Sequence, residues 1–264
     1  MWTMNRNYKE ESPIIIGLAG KAGSGKTSVA EHFVPKGSIE TSSHGVKWDH
    51  IFYALPLYEL ASIRRSIKGF NEDSRQLYAI HDVLFDIYGK SSIGNIPEYD
   101  DFVRRVHDIK DLKIEPEGIK PRSFLQKAGD ICRDGFEDCF SQWGIIKSIR
   151  LYQSYYKSLG ENEEELPFAV LISDVRFANE AEKILKQPNG VVVVFDAEQE
   201  TLNERILKRD GQLMSSEQMN HRSEQEVQIV KEMATHIIKT DGMNIEQQAK
   251  ATLEALGILE SQNA

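Results

Sequence analysis

Short apolar runs and longer amphipathic stretches alternate along this chain of 264 residues. Residues 14–18, 168–173, 191–195 and 236–239 are mostly apolar or β-branched at consecutive positions, the pattern of strands buried on both faces of a parallel sheet. A weaker run near 46–53 supplies a fifth strand. Segments of helical period follow at 27–33, 179–185, 201–209 and 245–256. Strands that alternate with helices predict an α/β fold around a parallel sheet.

Between 55 and 160 the pattern changes. Ile63, Ile67, Leu77, Ile80, Val83, Leu84 and Ile87 recur at helical spacing with almost no strand pattern among them. The stretches 90–97 and 115–121, rich in Ser, Gly and Pro, punctuate these helices. The expected organisation is a core built from 1–54 and 161–264, carrying a helical insertion over 55–160 that could enclose an acceptor substrate. The acidic run 161–165 reads as a solvated loop, because like charges resist packing.

Charge narrows the function classes. A formal net charge of −9 argues against sequence-blind clamping of polymeric nucleic acid, and no element for reading DNA is recognisable. An anionic ligand must then be met by a local cluster of Lys and Arg. Cys132 and Cys139 lie seven apart, with the spacing of neither a zinc knuckle nor a redox pair, and read as reduced thiols. The start, MWTMNRNYKEES, lacks the apolar core of a secretion signal. No apolar run approaches the about 20 residues that span a bilayer, so the expected localisation is cytoplasmic with no membrane partner.

The candidate chemistry begins at "GLAGKAGSGKTSVA", residues 17–30. Gly20-x-x-x-x-Gly25-Lys26-Thr27 fits the pattern G-x-x-x-x-G-K-[ST] between an expected strand and an expected helix. Glycine suits a turn whose backbone must approach phosphate oxygens and visit positive φ, and the helix that follows adds its positive end. Gly20, Lys21, Ala22, Gly23, Ser24, Gly25, Lys26, Thr27 and Ser28 are therefore expected to cradle a nucleoside triphosphate. Lys26 would bridge the outer phosphates, and the Thr27 hydroxyl would bind Mg²⁺.

Asp174 ends the run 168–173, at the rim where open parallel sheets gather ligands. It is a candidate for the Mg²⁺ shell, or else a helix cap. Arg176 would share that rim and grip an acceptor phosphate, the alternative being an ordinary surface arginine. "NERILKRDGQLMSSEQMNHRSE" at 203–224 collects Arg205, Lys208, Arg209 and Arg222 around a loop. Arg205 and Arg209 share a helix face, and the segment reads either as a lid over the transferring phosphoryl group or as an exposed basic face. Lys26, Arg176, Arg205 and Arg209 are the catalytic candidates. No side-chain base is required, since an acceptor phosphate is an adequate nucleophile once its charge is shielded.

Several stretches then add up. "ISDVRFANEAEKI" at 172–184, "PRSFLQKAGDICRDGFED" at 121–138, "HRSE" at 221–224 and "IIKTDG" at 237–242 join the glycine turn. Together they resemble the bacteriophage-type deoxynucleoside monophosphate kinase family, a branch of the P-loop kinases. The matching patterns are D-V-R-F-x-N-E-x-E, R-x-x-L-Q-x-x-G-x-x-x-R, H-x-S-E and the family's last strand and turn. The resemblance implies a P-loop kinase-like three-layer α/β fold with a five-stranded parallel sheet and a helical acceptor subdomain. It also implies ATP as donor, Mg²⁺, and transfer of the γ-phosphoryl group to a deoxynucleoside monophosphate. By position, Arg122, Gln126 and Arg133 would belong to the acceptor site with Asp174 and Arg176. His221, Ser223 and Glu224 match a signature whose roles stay open, Glu224 being suited to pair with a lid arginine or to cap a helix.

Two departures stand out. Thr27 occupies a position where family members often carry Asp. In "FYALPLYELA" at 52–61, similar to F-A-D-P-L-K-x-x-A, Leu55 and Tyr58 replace an acid and a base. Two other functions fit the same turn: a kinase for another small phosphorylated metabolite, and a nucleotide-switched interaction protein. The base accepted, and whether a homodimer forms, stay open.

Overall fold

The structure, a computed structural model, describes residues 12–36, 38, 41–66, 72–89, 98–160 and 165–259. Ile67, the stretch 90–97 and all of the acidic run but Glu165 lie outside the described residues. In chain order the elements are β1 Ile14–Ala19, α1 Lys26–Phe33, β2 Thr41–Ser43, β3 Val46–Ile51, α2 Leu55–Ser66, α3 Glu72–Tyr88, α4 Tyr99–Asp111, α5 Arg122–Gly135 and α6 Cys139–Ser158. There follow β4 Phe168–Val175, α7 Ala178–Leu185, β5 Gly190–Asp196, α8 Gln199–Asp210, α9 Ser216–Met219, α10 Arg222–Gln225, α11 Val227–Met233, β6 His236–Lys239 and α12 Ile245–Ala255.

The chain forms two compact units, 1–52 with 144–264, and 53–143. The first is a mixed α/β unit whose sheet runs β2-β3-β4-β1-β5-β6. Five strands are parallel, but the expectation of a five-stranded sheet is corrected by β2, which adds a sixth, antiparallel to β3. The hairpin turns on His44 and Gly45, both at positive φ (54° and 69°), as a tight two-residue connection demands. Thr41–Ser43 holds three hydroxyl side chains and no apolar position, so no hydrophobic alternation marks it as a strand.

Every residue of β1 is buried because both sheet faces are covered. Ile14, Ile16 and Leu18 share a cluster with Val29, Ala30 and Phe33 of α1 and Ala249 and Leu253 of α12. On the other face Gly17 lies in register with Ile172 and Val192. A Cβ there would come within 2.6 Å of the Ile184 side chain of α7, so a glycine lets this helix approach the sheet.

The second unit is helical. Helix α3 packs on α2 and α4, and α5 packs on both of these as well. Ile80, Leu84 and Ile87 are fully buried, as their spacing requires, and so are Leu60, Ile109 and Phe124. Arg65 donates to the carbonyls of Glu115 and Ile119, both at 3.1 Å, which ties the Pro-rich stretch down. Buried Arg105 donates to Ile131 O at 2.8 Å and to Asp134 at 3.0 Å. Cys132 and Cys139 are buried free thiols.

The boundary after this unit falls inside α6, at 143/144, rather than at 160. Gly144–Ser158 counts with the sheet unit, where Tyr155 stacks on Phe168 of β4 with ring centroids 5.1 Å apart. Helical periodicity continues unbroken through α6, so the sequence pattern does not mark the change of partner. Among the described residues no helix is long and apolar enough to cross a membrane.

Candidate functional site

Strand register builds the rim of the site. β1 ends at Ala19, opposite Val175 of β4 on one side and Val194 of β5 on the other. The chain therefore enters the glycine turn beside the end of β4. β1 leads on toward β3 and β4 leads on toward β5, so the connections leave in opposite directions and open a crevice at the carboxyl ends of the two strands.

Gly20, Gly23 and Gly25 have φ of 141°, 84° and 100°, which L side chains rarely adopt. A Cβ at Gly20 would meet the carbonyl of Phe195, at Gly23 that of Leu202 at 2.7 Å, and at Gly25 the Gln248 side chain. The turn is thus packed closely against β5, α8 and α12, which fixes its path. Ser24 N donates to Lys21 O at 3.2 Å, and Lys26 bends back so that its ammonium donates to the same carbonyl at 3.1 Å. Lys26 is buried, while Thr27 and Ser28 are exposed in the first turn of α1. The N-cap of that helix, Gly25, has no side chain to cap it, and a helix start of this kind suits an anion. The Ser24 hydroxyl is buried with no hydrogen-bond partner among the described residues.

The basic stretch 203–224 divides between two environments. Helix α8 buries Leu202 and Ile206, and its Arg205 donates to Thr240 O at 2.6 Å and to Thr240 Oγ1 at 3.2 Å. Arg209 instead pairs with its neighbour Asp210 through two contacts of 2.8 Å. The two arginines expected in one lid therefore have different partners: backbone and hydroxyl oxygens for Arg205, a carboxylate for Arg209.

At the end of β4, buried Ser173 meets His50 Nε2 of β3 at 2.7 Å. Burial lowers the His50 pKa below its usual value against the opposing field of Asp174, which leaves the imidazole neutral near pH 7. His50 and Ser173 were not singled out from the sequence; only the pairing of β3 with β4 brings them together. Half-buried Asp174 was open to a capping role, but the start of α7 is capped by Glu180. That buried carboxylate accepts from Arg176 N at 2.9 Å and Phe177 N at 3.1 Å. It fixes the turn from which the Arg176 side chain departs.

Residues 221–226 dock on this turn. His221 Nδ1 accepts from Ser223 N at 3.2 Å and lies 2.9 Å from Ser223 Oγ, capping α10. Glu226 accepts from Ala178 N at 3.2 Å and pairs with Arg222, whose guanidinium lies 5.4 Å from the centre of the Phe177 ring. Glu224 is buried between two partners: Oε1 pairs with Arg176, and Oε2 accepts from Ala22 N of the glycine turn at 3.2 Å. Burial pushes its carboxyl pKa up, but Arg176, Lys26 and the Ala22 N–H outweigh that and hold it below the usual range. Burial likewise opposes the charge of Arg176, and Glu224 and Asp174 outweigh it, raising the guanidinium pKa.

Ala22, Lys26, Asp174, Arg176 and Glu224 thus form one electrostatic neighbourhood in the sheet unit. In the helical unit, Arg122, Gln126 and Arg133 recur at helical spacing along one face of α5, with Arg133 4.7 Å from the Phe140 ring centre. Leu55 opens α2 partly exposed, and Tyr58 is half-buried in its first turn. Among the described residues no group of three or more His, Cys, Asp or Glu could hold a metal ion.

No family model matches the chain, and no curated protein matches it significantly. Among solved structures it is similar to the crystal structure of TT1252 from Thermus thermophilus. The identity is 18%, over 92% of this chain and 97% of that one, with a TM-score of 0.40. A likeness that loose carries no functional argument.

Proposed function

We propose that this chain is a phosphotransferase of P-loop kinase-like, three-layer architecture. It transfers the γ-phosphoryl group of ATP to a deoxynucleoside monophosphate, giving the diphosphate and ADP. The observation that carries this reading is the buried Lys26 folded over a turn of three glycines at positive φ, at the start of α1. A glycine turn leading into a helix start, with a lysine at that place, suits a triphosphate.

The residues fit the cofactors named by that chemistry. Mg²⁺ is commonly held through one or two protein oxygens and completed by substrate phosphates and water. Thr27, exposed in the first turn of α1, and Asp174, at the adjoining strand end, offer one hydroxyl and one carboxylate. When bound, the ion would neutralise the β- and γ-oxygens. Lys26 and Arg176 would stabilise charge on the transferring group, the main catalytic demand of this reaction. Arg209, at the end of α8, is retained as a lid candidate. The resemblance assigns Arg122, Gln126 and Arg133 to the acceptor nucleotide, and their common face on α5 suits that role.

Incubation with ATP, Mg²⁺ and a panel of acceptors tests the reading. Diphosphate should form from at least one deoxynucleoside monophosphate, and Lys26→Ala should fold yet lose turnover by at least about a hundredfold, the scale of one lost transition-state contact. Phosphorylation of another metabolite only would move the assignment to a different acceptor. Full turnover by the lysine variant would overturn the site.

A further inference from the structure

We propose that Glu224 is a built-in occupant of the anion position at the glycine turn, and that ATP must displace it, which releases Arg176 to the incoming phosphate. This rests on the reading of the turn as a triphosphate site. The carboxylate engages three kinds of group that a terminal phosphate would recruit: a loop amide at Ala22, the guanidinium of Arg176, and the field of Lys26. Carboxylate and phosphate are both anionic acceptors of charge-assisted hydrogen bonds, so one can substitute for the other at the same donors. They cannot share them, since two like charges brought together in a buried site repel strongly.

The contact is built rather than incidental. Glu224 lies 202 positions from Ala22 in sequence and is itself buried, at 8% exposure. His221 caps the short helix that carries it, and Glu226 and Arg222 anchor that helix on the 176–178 turn. These anchors hold the segment to the 176–178 turn through groups other than the Glu224 carboxylate, so Glu224 can leave Ala22 while its segment stays attached. Without nucleotide, Arg176 is neutralised by Glu224. With nucleotide bound, the guanidinium changes partner at the moment when there is a phosphoryl group to stabilise. Glu224 is on this account a positioning residue that couples donor binding to the availability of Arg176.

Titration calorimetry with MgATP on the full chain, Glu224→Gln and Glu224→Asp tests the proposal. The glutamine keeps the shape but removes the competing charge, and should bind ATP about tenfold tighter, the effect of one charge-assisted contact. The aspartate keeps the charge one methylene short of the amide and should gain less. A purely structural Glu224 predicts the opposite sign, so equal or weaker binding by both variants overturns the proposal while the triphosphate site stands. Absence of ATP binding by the unaltered chain and both variants would overturn the triphosphate reading itself. Should the variants not fold, carboxyl-carbon NMR of Glu224 in the unaltered chain decides: saturating MgATP should raise the titration midpoint of that carboxyl, because it loses Arg176 and the Ala22 N–H, and an unchanged or lower midpoint overturns the proposal.

Discussion

The end of α8 and the segment 221–226 belong to one basic stretch of sequence, yet they treat their charges in opposite ways. Arg205 donates to a carbonyl and a hydroxyl at Thr240, neutral acceptors that the fold supplies permanently. Arg176, met by Glu224 of the second region, faces a carboxylate. A guanidinium bound to backbone oxygen completes the structure and has no competitor with phosphate chemistry. One bound to a carboxylate is paired with a group that a phosphate can replace at the same donors. The partner, more than the arginine, separates a brace from a residue that can change hands.

Substitution should separate the two most sharply. Arg176→Ala is expected to lower turnover by about a hundredfold, the scale of a lost charge-stabilising contact in a phosphoryl-transfer site. Arg205→Ala should act on stability instead, costing about 1–3 kcal/mol in denaturant unfolding because buried Thr240 oxygens lose charged donors. Steady-state turnover and unfolding midpoints of both variants give a two-by-two comparison. Equal turnover losses would erase the distinction and keep Arg205 among the catalytic candidates.

A smaller effect tests the electrostatics of the second region. The folded-state pKa of Glu224 lies below its ordinary value of 4.5, so its ionised form favours the folded chain. That contribution is fully present above pH 4.5 and is lost as pH falls through the lower folded value. The stability difference between the unaltered chain and Glu224→Gln should therefore be constant near neutrality and shrink on acidification below 4.5. Arg176 and Lys26 are the charged groups that act on it, and the raised pKa of Arg176 keeps its guanidinium charged throughout this window. His50 also titrates on acidification, its folded pKa lying below 6.5, and weakens the fold as pH drops under that value. Because both chains retain His50, the difference removes it. A difference that grows in acid would mean that the Glu224 carboxyl is held above its ordinary value.

What the sequence made legible follows the range of the interaction. The strand, the glycine turn and α1 announce themselves because each depends on residues within a few positions: a buried apolar run, glycines at positive φ, a helical stripe. β2 carries no apolar residue and escaped notice. The boundary inside α6 was hidden because one helical period serves two cores. At the site, Lys26 and Asp174 could be singled out from the motif and strand end. The partners of Arg205 and Arg176 lie 35 and 48 positions away, where no local pattern reaches. Glu180 is the intermediate case: it caps from the third position of α7, but without the Ser, Thr, Asp or Asn that advertises a capping box.

The smallest expected effect falls on Arg209, which sits between the two regions and decides where one ends. Its side chain is half exposed, at 49%, and pairs directly with adjacent Asp210, a near-surface pair of the kind that contributes little. Arg209→Ala should therefore change unfolding free energy by less than about 0.5 kcal/mol, the range of surface substitutions away from packed features. Where its unfolding midpoint is unchanged, a loss of turnover is separate from any weakening of the fold. A fall in turnover with an unchanged midpoint would mean that the end of α8 reaches the phosphoryl group, and that the functional region begins between 205 and 209. Unchanged turnover would confine charge stabilisation to Lys26 and the arginine that Glu224 holds.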